Sequence, residues 1–431
     1  MTISQSFETF LANIKVDNSE KVSTRYKEIT KKLNKTFRDT DSDIANCLQV
    51  GSYGRYTGIK GISDLDMLYV MPNSKWDEYK DEPGKLLRKV RDVLVERYPN
   101  TNIIVDRLVV DVKFSDFTFE VQPVFEEVDG DYVNYKYPDT KCDSYKVTKP
   151  RQEQDEMINF KNEHGTAHRL LCKMVRSWKN NVGVGIGGLL IDTLTHRFLS
   201  NHTEYDFVGK SEFDVLCRDF FEFLMNEKGH DHYQALGSGQ DVKVKSPFWK
   251  KAKLAYEKAD LAVNEENEKK RNDIWREIFG NQFPCISESI EENRDLTSSN
   301  IYTDHEEFIE NKYLVDIRYD LKIDCVITRN GFREALLSAL LAKGSRISRI
   351  RSLDFTFHTD APEPYEVKWK ARNVGIEAEK RNCLRGEIIN SNRKNFVRHE
   401  IAEFLGPHYM ECYIIKDGIV IARDRIDVPI D

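Results

Sequence analysis

The run CLQVGSYGRYTGIKGISDLDMLYVM, residues 47–71, constrains this chain more than any other stretch of it. Its middle is rich in glycine and turn formers. Its end alternates, with Leu65, Met67 and Tyr69 opposing Asp64, Asp66 and Leu68, the period of a strand. That period puts Asp64 and Asp66 on one face, about 7 Å apart along the backbone. Two adjacent carboxylates repel each other unless cations sit between them. Mg²⁺ takes oxygen ligands and keeps waters and substrate phosphates, so the pair suits a metal–nucleotide complex better than a closed protein cage.

Upstream, Gly51 and Ser52 precede Asp64 by eleven intervening residues. Gly51 lets backbone approach a phosphate, and Ser52 offers a hydroxyl and an N–H at the start of an expected helix, a plausible triphosphate cradle. A third carboxylate is expected on a neighbouring strand, completing a second metal site and holding or deprotonating an attacking hydroxyl. Glu120, in Phe119-Glu120-Val121-Gln122-Pro123, is the candidate. Asp111 and Asp116 are rivals, because each lies in the same hairpin and a one-residue register slip exchanges the two faces. Each feature has a plainer reading beside it: D-x-D as solvated strand surface, Glu120 as the exposed face of its strand, Ser52 as a helix N-cap.

Around this run, residues 1–46 read as two helices and 83–97 as another, from apolar positions at helical spacing. TNIIVDRLVVDVKF and FTFEVQPVF read as a hairpin turning at Ser115-Asp116. From Gln152 to Phe198 the pattern is helical apart from glycines 183, 185, 187 and 188, and helices are expected again over 206–228 and 248–279. Residues 285–311, largely Ser, Glu, Asp and Asn, read as a linker. Beyond them strand-like runs surround a short helix at 331–342 and a helical stretch near 396–404, so the last unit reads as mostly β.

Of the 431 residues, 40% are apolar and 32% charged, which disfavours wholesale disorder. No window approaches a membrane span, and MTISQSFETF has neither a basic n-region nor an apolar h-region, so a cytoplasmic protein without membrane association is expected. The eight cysteines are dispersed without a C-x-x-C pair, which points to free thiols. A net charge of -7 argues against a polyanion-binding surface over the whole molecule but permits local basic grooves.

VGSYGRYTGIKGISDLDMLYV followed by FEVQPVF resembles the nucleotidyltransferase core of the DNA polymerase β-like superfamily. Within it, the resemblance is to the cGAS/DncV-like nucleotidyltransferases (CD-NTases), relatives of oligoadenylate synthase, over residues 1–284. It implies an α+β fold: a polymerase β-like core of mixed sheet and helices over 1–150, and a helical lobe over 151–284 completing the active-site cleft. The family's metal-binding aspartates fall on Asp64 and Asp66, and its third acid on Glu120, where Asp is usual. Thr57 matches the Thr of a Gly-Thr turn, although Tyr56 replaces its Gly. LLCKMVRSWKN resembles the helix that presents basic side chains to the triphosphate, with Lys173 and Arg176 on one face. GIGGLLIDTL is similar to a helix start in which Ser and an aromatic would stand at Gly188 and Leu189. The resemblance implies two Mg²⁺ or Mn²⁺ ions serving in-line attack of a ribose hydroxyl on an NTP. The product would be a cyclic or short oligonucleotide second messenger, acting in bacterial anti-phage signalling on a separately encoded effector. Alternatives are linear synthesis, nucleotide transfer onto RNA, DNA or protein, or a non-catalytic nucleotide sensor.

VKWKARNVGIEAEKRNCLRGEI resembles the AGS-C sensor domain, through Trp369, Arg372, Asn373, Gly375, Arg385 and Gly386, over about 312–431. Trp369 with Lys368, Lys370 and Arg372 interleaves a π-surface with positive charge, as a nucleotide or nucleic-acid site would; the plainer reading is a core Trp beside surface charges. Lys343, Arg346, Arg349 and Arg351 add a basic run. His164 and His168, and His230-Asp231-His232, have compact spacing but no complete ligand set for zinc.

Overall fold

The computed structural model describes residues 1–286 and 306–431. They form two compact units: Met1–Trp178 with Ile186–Cys285, and Lys179–Gly185 with Ile286–Asp431.

In the first unit, α1 (Ile3–Asn13) and α2 (Ser19–Arg38) precede β1 (Cys47–Gln49), the single turn α3 (Gly51–Gly54) and β2 (Asp64–Val70). Then come α4 (Trp76–Tyr79), α5 (Pro83–Arg97), β3 (Asn102–Asp106), β4 (Val109–Lys113), β5 (Thr118–Asp129), β6 (Tyr132–Asp139) and β7 (Ser144–Thr148). The helical part has α6 (Pro150–His164), α7 (Ala167–Val182), α8 (Gly188–Ser200), α9 (Phe213–Asn226), the small hairpin β8 (His232–Gln234) and β9 (Asp241–Lys243), α10 (Phe248–Val263) and α11 (Glu268–Phe279).

The sheet runs β1-β2-β5-β4-β3, with β6 and β7 continuing from the far half of β5. One face is apolar: Leu65, Met67, Phe119, Val121, Val110 and Val112 pack against α2 and α5. α5 supplies Leu86, Leu87, Val90, Val93 and Leu94, all at most 1% exposed, the stripe a 3.6-residue period produces. Pro83 opens it at the first turn, where no N–H is needed. Alternation then turns the polar residues of β2, β4 and β5 to the opposite face.

Three expectations need correcting here. TNIIVDRLVVDVKF is two strands, because Arg107 takes a left-handed φ of 37° and folds β3 back on β4. The charged stretch 248–279 is two helices, broken at Asn264–Asn267, with Asn267 capping the second. α1 packs on the helical part, its Phe7 lying edge-on to Trp275, Phe283 and Phe213, so the lobe over 151–284 is completed by the chain's first helix.

The second unit comprises β10 (Leu314–Val315), β11 (Leu321–Arg329), β12 (Phe332–Leu336), α12 (Leu337–Leu341), β13 (Ser352–Thr359), β14 (Glu366–Arg372), α13 (Ile376–Lys380), β15 (Arg385–Asn390), β16 (Arg398–Ile401), β17 (Gly406–Lys416) and β18 (Ile419–Ile430). Sheets β10-β18-β17-β14-β15 and β12-β11-β13-β16 share a core that includes Ile323, Phe355, Trp369, Cys412 and Ile414. The unit is mostly β. Residues 398–401, expected to be helical, pair with Ser352–Phe355 as a strand, and only Leu337–Leu341 of 331–342 is helix. Most of the expected linker, residues 287–305, lies outside the described residues. The rest includes Ile309, fully buried in the second unit's core.

Candidate active site

Asp64 and Asp66 are half-buried on β2, flanked by Leu65 and Met67 at 1% and 0% exposure. β2 runs parallel to β5 with Asp66 opposite Glu120 and Asp64 opposite Thr118. On the other side of β5, antiparallel β4 sets Asp111 opposite Glu120 and Lys113 opposite Thr118. Residues directly opposite share a face. Asp66, Glu120 and Asp111 therefore form one row across three strands, with Asp64, Thr118 and Lys113 in the next. At about 4.8 Å per strand, Glu120 is the immediate neighbour of Asp66 and Asp111 stands one strand further out. Asp116 sits in the β4–β5 turn, exposed and 2.7 Å from Lys21.

Gly51 has φ +63°, and a Cβ there would stand 1.8 Å from Asp66 Oδ2. The backbone of α3 thus lies directly on the carboxylate, an approach that only glycine permits. The N–H of Val50 donates to the Asp66 carbonyl at 3.0 Å. The helix cap is Val50, not Ser52. Ser52 lies inside the turn, and its carbonyl accepts the N–H groups of Thr57 at 2.9 Å and Gly58 at 3.0 Å, closing the loop.

Behind this loop lies a buried charge network that the sequence reading missed. Asp192 on α8 is fully buried. It accepts from Arg55 Nε at 2.9 Å, from Arg176 Nη1 at 2.7 Å and Nη2 at 3.0 Å, and from the Thr57 hydroxyl at 3.2 Å. Arg55 also reaches Glu153 at 2.9 Å. Burial alone would raise the Asp192 carboxyl, but the two guanidiniums outweigh it and hold it well below the usual carboxylate range. Thr57 and Arg176, expected to touch nucleotide, are placed differently. Thr57 is 0% and Arg176 7% exposed, and their polar atoms are turned to Asp192 and the Gly188 carbonyl. The available signal was an Asp inside the apolar run LLIDTL, because a carboxylate among core residues needs cationic partners.

Lys173 stands on α7, half-buried. Burial lowers its amine from the ordinary 10.5, and the nearby cations Arg169 and Lys15 lower it further. Arg169 in turn lies 4.7 Å over the Tyr56 ring, next to the loop. Lys173 and Arg169 at partly buried positions, with exposed Lys15 nearby, make a ready counterpart for a polyphosphate. Trp178, also on α7, is core, packed 5.2 Å from Phe221.

The donors on the sheet are all carboxylate oxygens, the chemistry that hard divalent cations select. Among the described residues, no three or more His, Cys, Asp or Glu side chains already converge as a metal cage. The histidines have other partners: His164 bonds Asp206 at 2.9 Å, His168 faces the Asp192 carbonyl at 3.1 Å, and His232 bonds Asp231 at 2.6 Å.

In the second unit, Trp369 is 0% exposed and donates to the Phe396 carbonyl at 3.1 Å, so the suggested stacking platform is core. Lys370 beside it is buried against Glu306 and Glu411. In the basic run, Arg346 pairs with Asp431 and Arg351 with Glu334. All eight cysteines are free.

Residues 1–162 match the Second Messenger Oligonucleotide or Dinucleotide Synthetase (SMODS) domain, and residues 303–431 match the Adenylyl/Guanylyl and SMODS C-terminal sensor domain, AGS-C. A curated relative, the cyclic AMP-AMP-AMP synthase of Acinetobacter sp. (strain ATCC 27244 / 9458), is 23% identical over 278 residues, 58% of this chain and 76% of that protein. The solved CdnC of E. coli MS115-1, in its complex with HORMA-deltaN, superposes with a TM-score of 0.51 at 16% identity over 65% of this chain and 98% of its own. The STING-associated CdnE c-di-GMP synthase of Capnocytophaga granulosa gives a TM-score of 0.45 at 12% identity, covering 58% of this chain and 83% of its own. With its carboxylate row on a polymerase β-like sheet and these two domain matches, the chain is a nucleotidyltransferase of the cGAS/DncV-like family carrying an AGS-C domain.

Proposed function

We propose that the protein is a divalent-metal-dependent synthase that joins NTPs into a cyclic or short oligonucleotide messenger. The observation that carries this reading is the register placing Glu120 beside Asp66, with the Gly51 backbone against that same carboxylate. Asp64, Asp66 and Glu120 would hold Mg²⁺ or Mn²⁺, which when bound neutralises charge on the reacting phosphates. Gly51 and Ser52 seat the triphosphate from the loop side. Lys173, helped by Arg169, offsets its negative charge from α7. Glu120 accepts the proton of the attacking ribose hydroxyl as its oxygen bonds to the α-phosphorus. The bond from that phosphorus to the bridging oxygen breaks, and pyrophosphate leaves with the electron pair. Thr57 and Arg176 act indirectly, by tying loop and helix to Asp192.

The name of the Acinetobacter relative makes ATP the first substrate to test. A HORMA-domain protein, present with the structural relative, is the partner to add if unaided turnover is slow. The messenger would act on a separately encoded effector in anti-phage signalling. Labelled NTPs incubated with the protein and Mg²⁺ or Mn²⁺, followed by mass spectrometry, should give pyrophosphate and a cyclic or short oligonucleotide. Asp64→Ala/Asp66→Ala should lower turnover at least a thousandfold. A homopolymer ladder or labelled acceptor would replace messenger synthesis with chain extension or transfer, and wild-type turnover in the double variant would remove the metal site.

A further inference from the structure

The second unit contains a cavity of about 310 Å³, within the size range of small-molecule sites. Its polar side is built by β15 and β16. Arg385 Nη1 and Nη2 hold the two Glu400 oxygens at 2.8 and 3.0 Å, and Arg398 Nε holds Oε1 from the other side at 2.7 Å. These three side chains are 27%, 17% and 14% exposed for Arg385, Glu400 and Arg398. Two guanidiniums thus share the Glu400 carboxylate in a partly desolvated place, with Glu387 the further carboxylate acting on Arg385. Glu403, which also lines the cavity, is exposed, where water screens its charge. Ile401, Phe404 and Ile430 supply apolar wall, and Asn373, Asn392, His399 and His408 line the cavity beside them.

The backbone behind the cationic side is strained. Arg385 takes φ 57°, uncommon for a residue with a side chain, and the pairing of β14 with β15 slips between Lys370 and Arg372 to accommodate it. Strain of this kind, of order 1–3 kcal/mol, persists where the surroundings hold a side chain in a particular place. Here it aims Arg385 at Glu400. Planar guanidinium forks recognise the oxygens of phosphate and carboxylate. Arg398 Nη1 also donates to the Asn390 carbonyl at 3.2 Å; because each terminal guanidinium nitrogen carries two N–H groups, an anion with three terminal oxygens can still accept from both side chains while Glu400 stays paired. The apolar wall suits a ring or sugar attached to it.

We infer that this cavity binds a small phosphate monoester of mononucleotide size, with Arg385 and Arg398 on the phosphate and Ile401 and Phe404 against the organic body. The site is separate from the carboxylate row and stands whether or not the proposed synthesis is correct. It also replaces Trp369 as the place where a ligand meets this unit.

The test is calorimetric titration of the full chain, in EDTA, with AMP, GMP, adenosine, inorganic phosphate and citrate. AMP or GMP should bind at least tenfold more tightly than adenosine or phosphate alone. Arg398→Gln, which leaves Glu400 paired with Arg385, should weaken binding at least tenfold. Ile401→Trp, at an exposed wall position, should do the same by filling the space. Glu400→Gln should tighten binding at least threefold, a direction that simple loss of structure cannot produce. Affinities unchanged across all three variants would overturn the site, and citrate binding as tightly as the nucleotides would overturn the phosphate assignment.

Discussion

Gly51 shows how narrowly a single residue is constrained at this site. Its left-handed backbone and the 1.8 Å separation between a built Cβ and Asp66 Oδ2 both exclude a side chain. Gly51→Ala should lower stability by about 1–2 kcal/mol from the backbone alone. By displacing Asp66 it should also cut NTP turnover at least a hundredfold, the scale expected from a misplacement of about 1 Å. Thermal melts and steady-state rates on the same preparation check both. Lys173 makes a pH prediction. Its amine is lowered by burial and by Arg169 and Lys15, so it loses its proton below the 10.5 ordinary for lysine. The protonated form holds phosphate, and kcat/KM reports the free enzyme. Hence kcat/KM for NTP should fall as pH rises through the lowered value, while Lys173→Arg should stay flat over the same range. Equal profiles for the two proteins would contradict the assignment. Asp64 and Asp66 were legible as a same-face pair from strand period, and Gly51 joined them through the resemblance that its spacing from them carries. Asp192 was not, because its partners lie 16 and 137 residues away and only the folded chain brings them in.

At the scale of elements, the sheet register does the sorting that composition could not. Glu120, Asp111 and Asp116 are chemically alike in sequence, and only the pairing of β5 with β2 and β4 ranks them by distance from Asp66. Periodicity located α5 to the residue, since its stripe is long and Pro83 marks its start. It failed over 396–404, where residues that read as a helix are drawn into a strand by pairing with β13, a tertiary effect that no local pattern carries. The Asp192 network joins α8, α7 and the loop after α3. Asp192→Ala would leave Arg55 and Arg176 buried without the carboxylate they share, an imbalance worth roughly 3–5 kcal/mol. Chemical denaturation should register that loss, whereas a purely nucleotide-contacting Arg176 would leave stability near wild type.

For the whole molecule, the SMODS match over residues 1–162 lies within the first unit and the AGS-C match over 303–431 within the second. What sequence order concealed is that α1 packs with α11 and α9, so the helical part is built from both ends of the first unit. Among the described residues no helix is long and apolar enough to cross a membrane. The proposed metal site lies on one face of one sheet, where Asp64, Asp66 and Glu120 would together hold a divalent cation with a nucleoside triphosphate. Electron paramagnetic resonance of Mn²⁺ titrated into the full protein with a non-hydrolysable ATP analogue reads that claim without requiring turnover. Nucleotide-dependent Mn²⁺ binding in the wild type, weakened at least a hundredfold in Asp64→Ala/Asp66→Ala, is the predicted result; equal binding by the two proteins would contradict it.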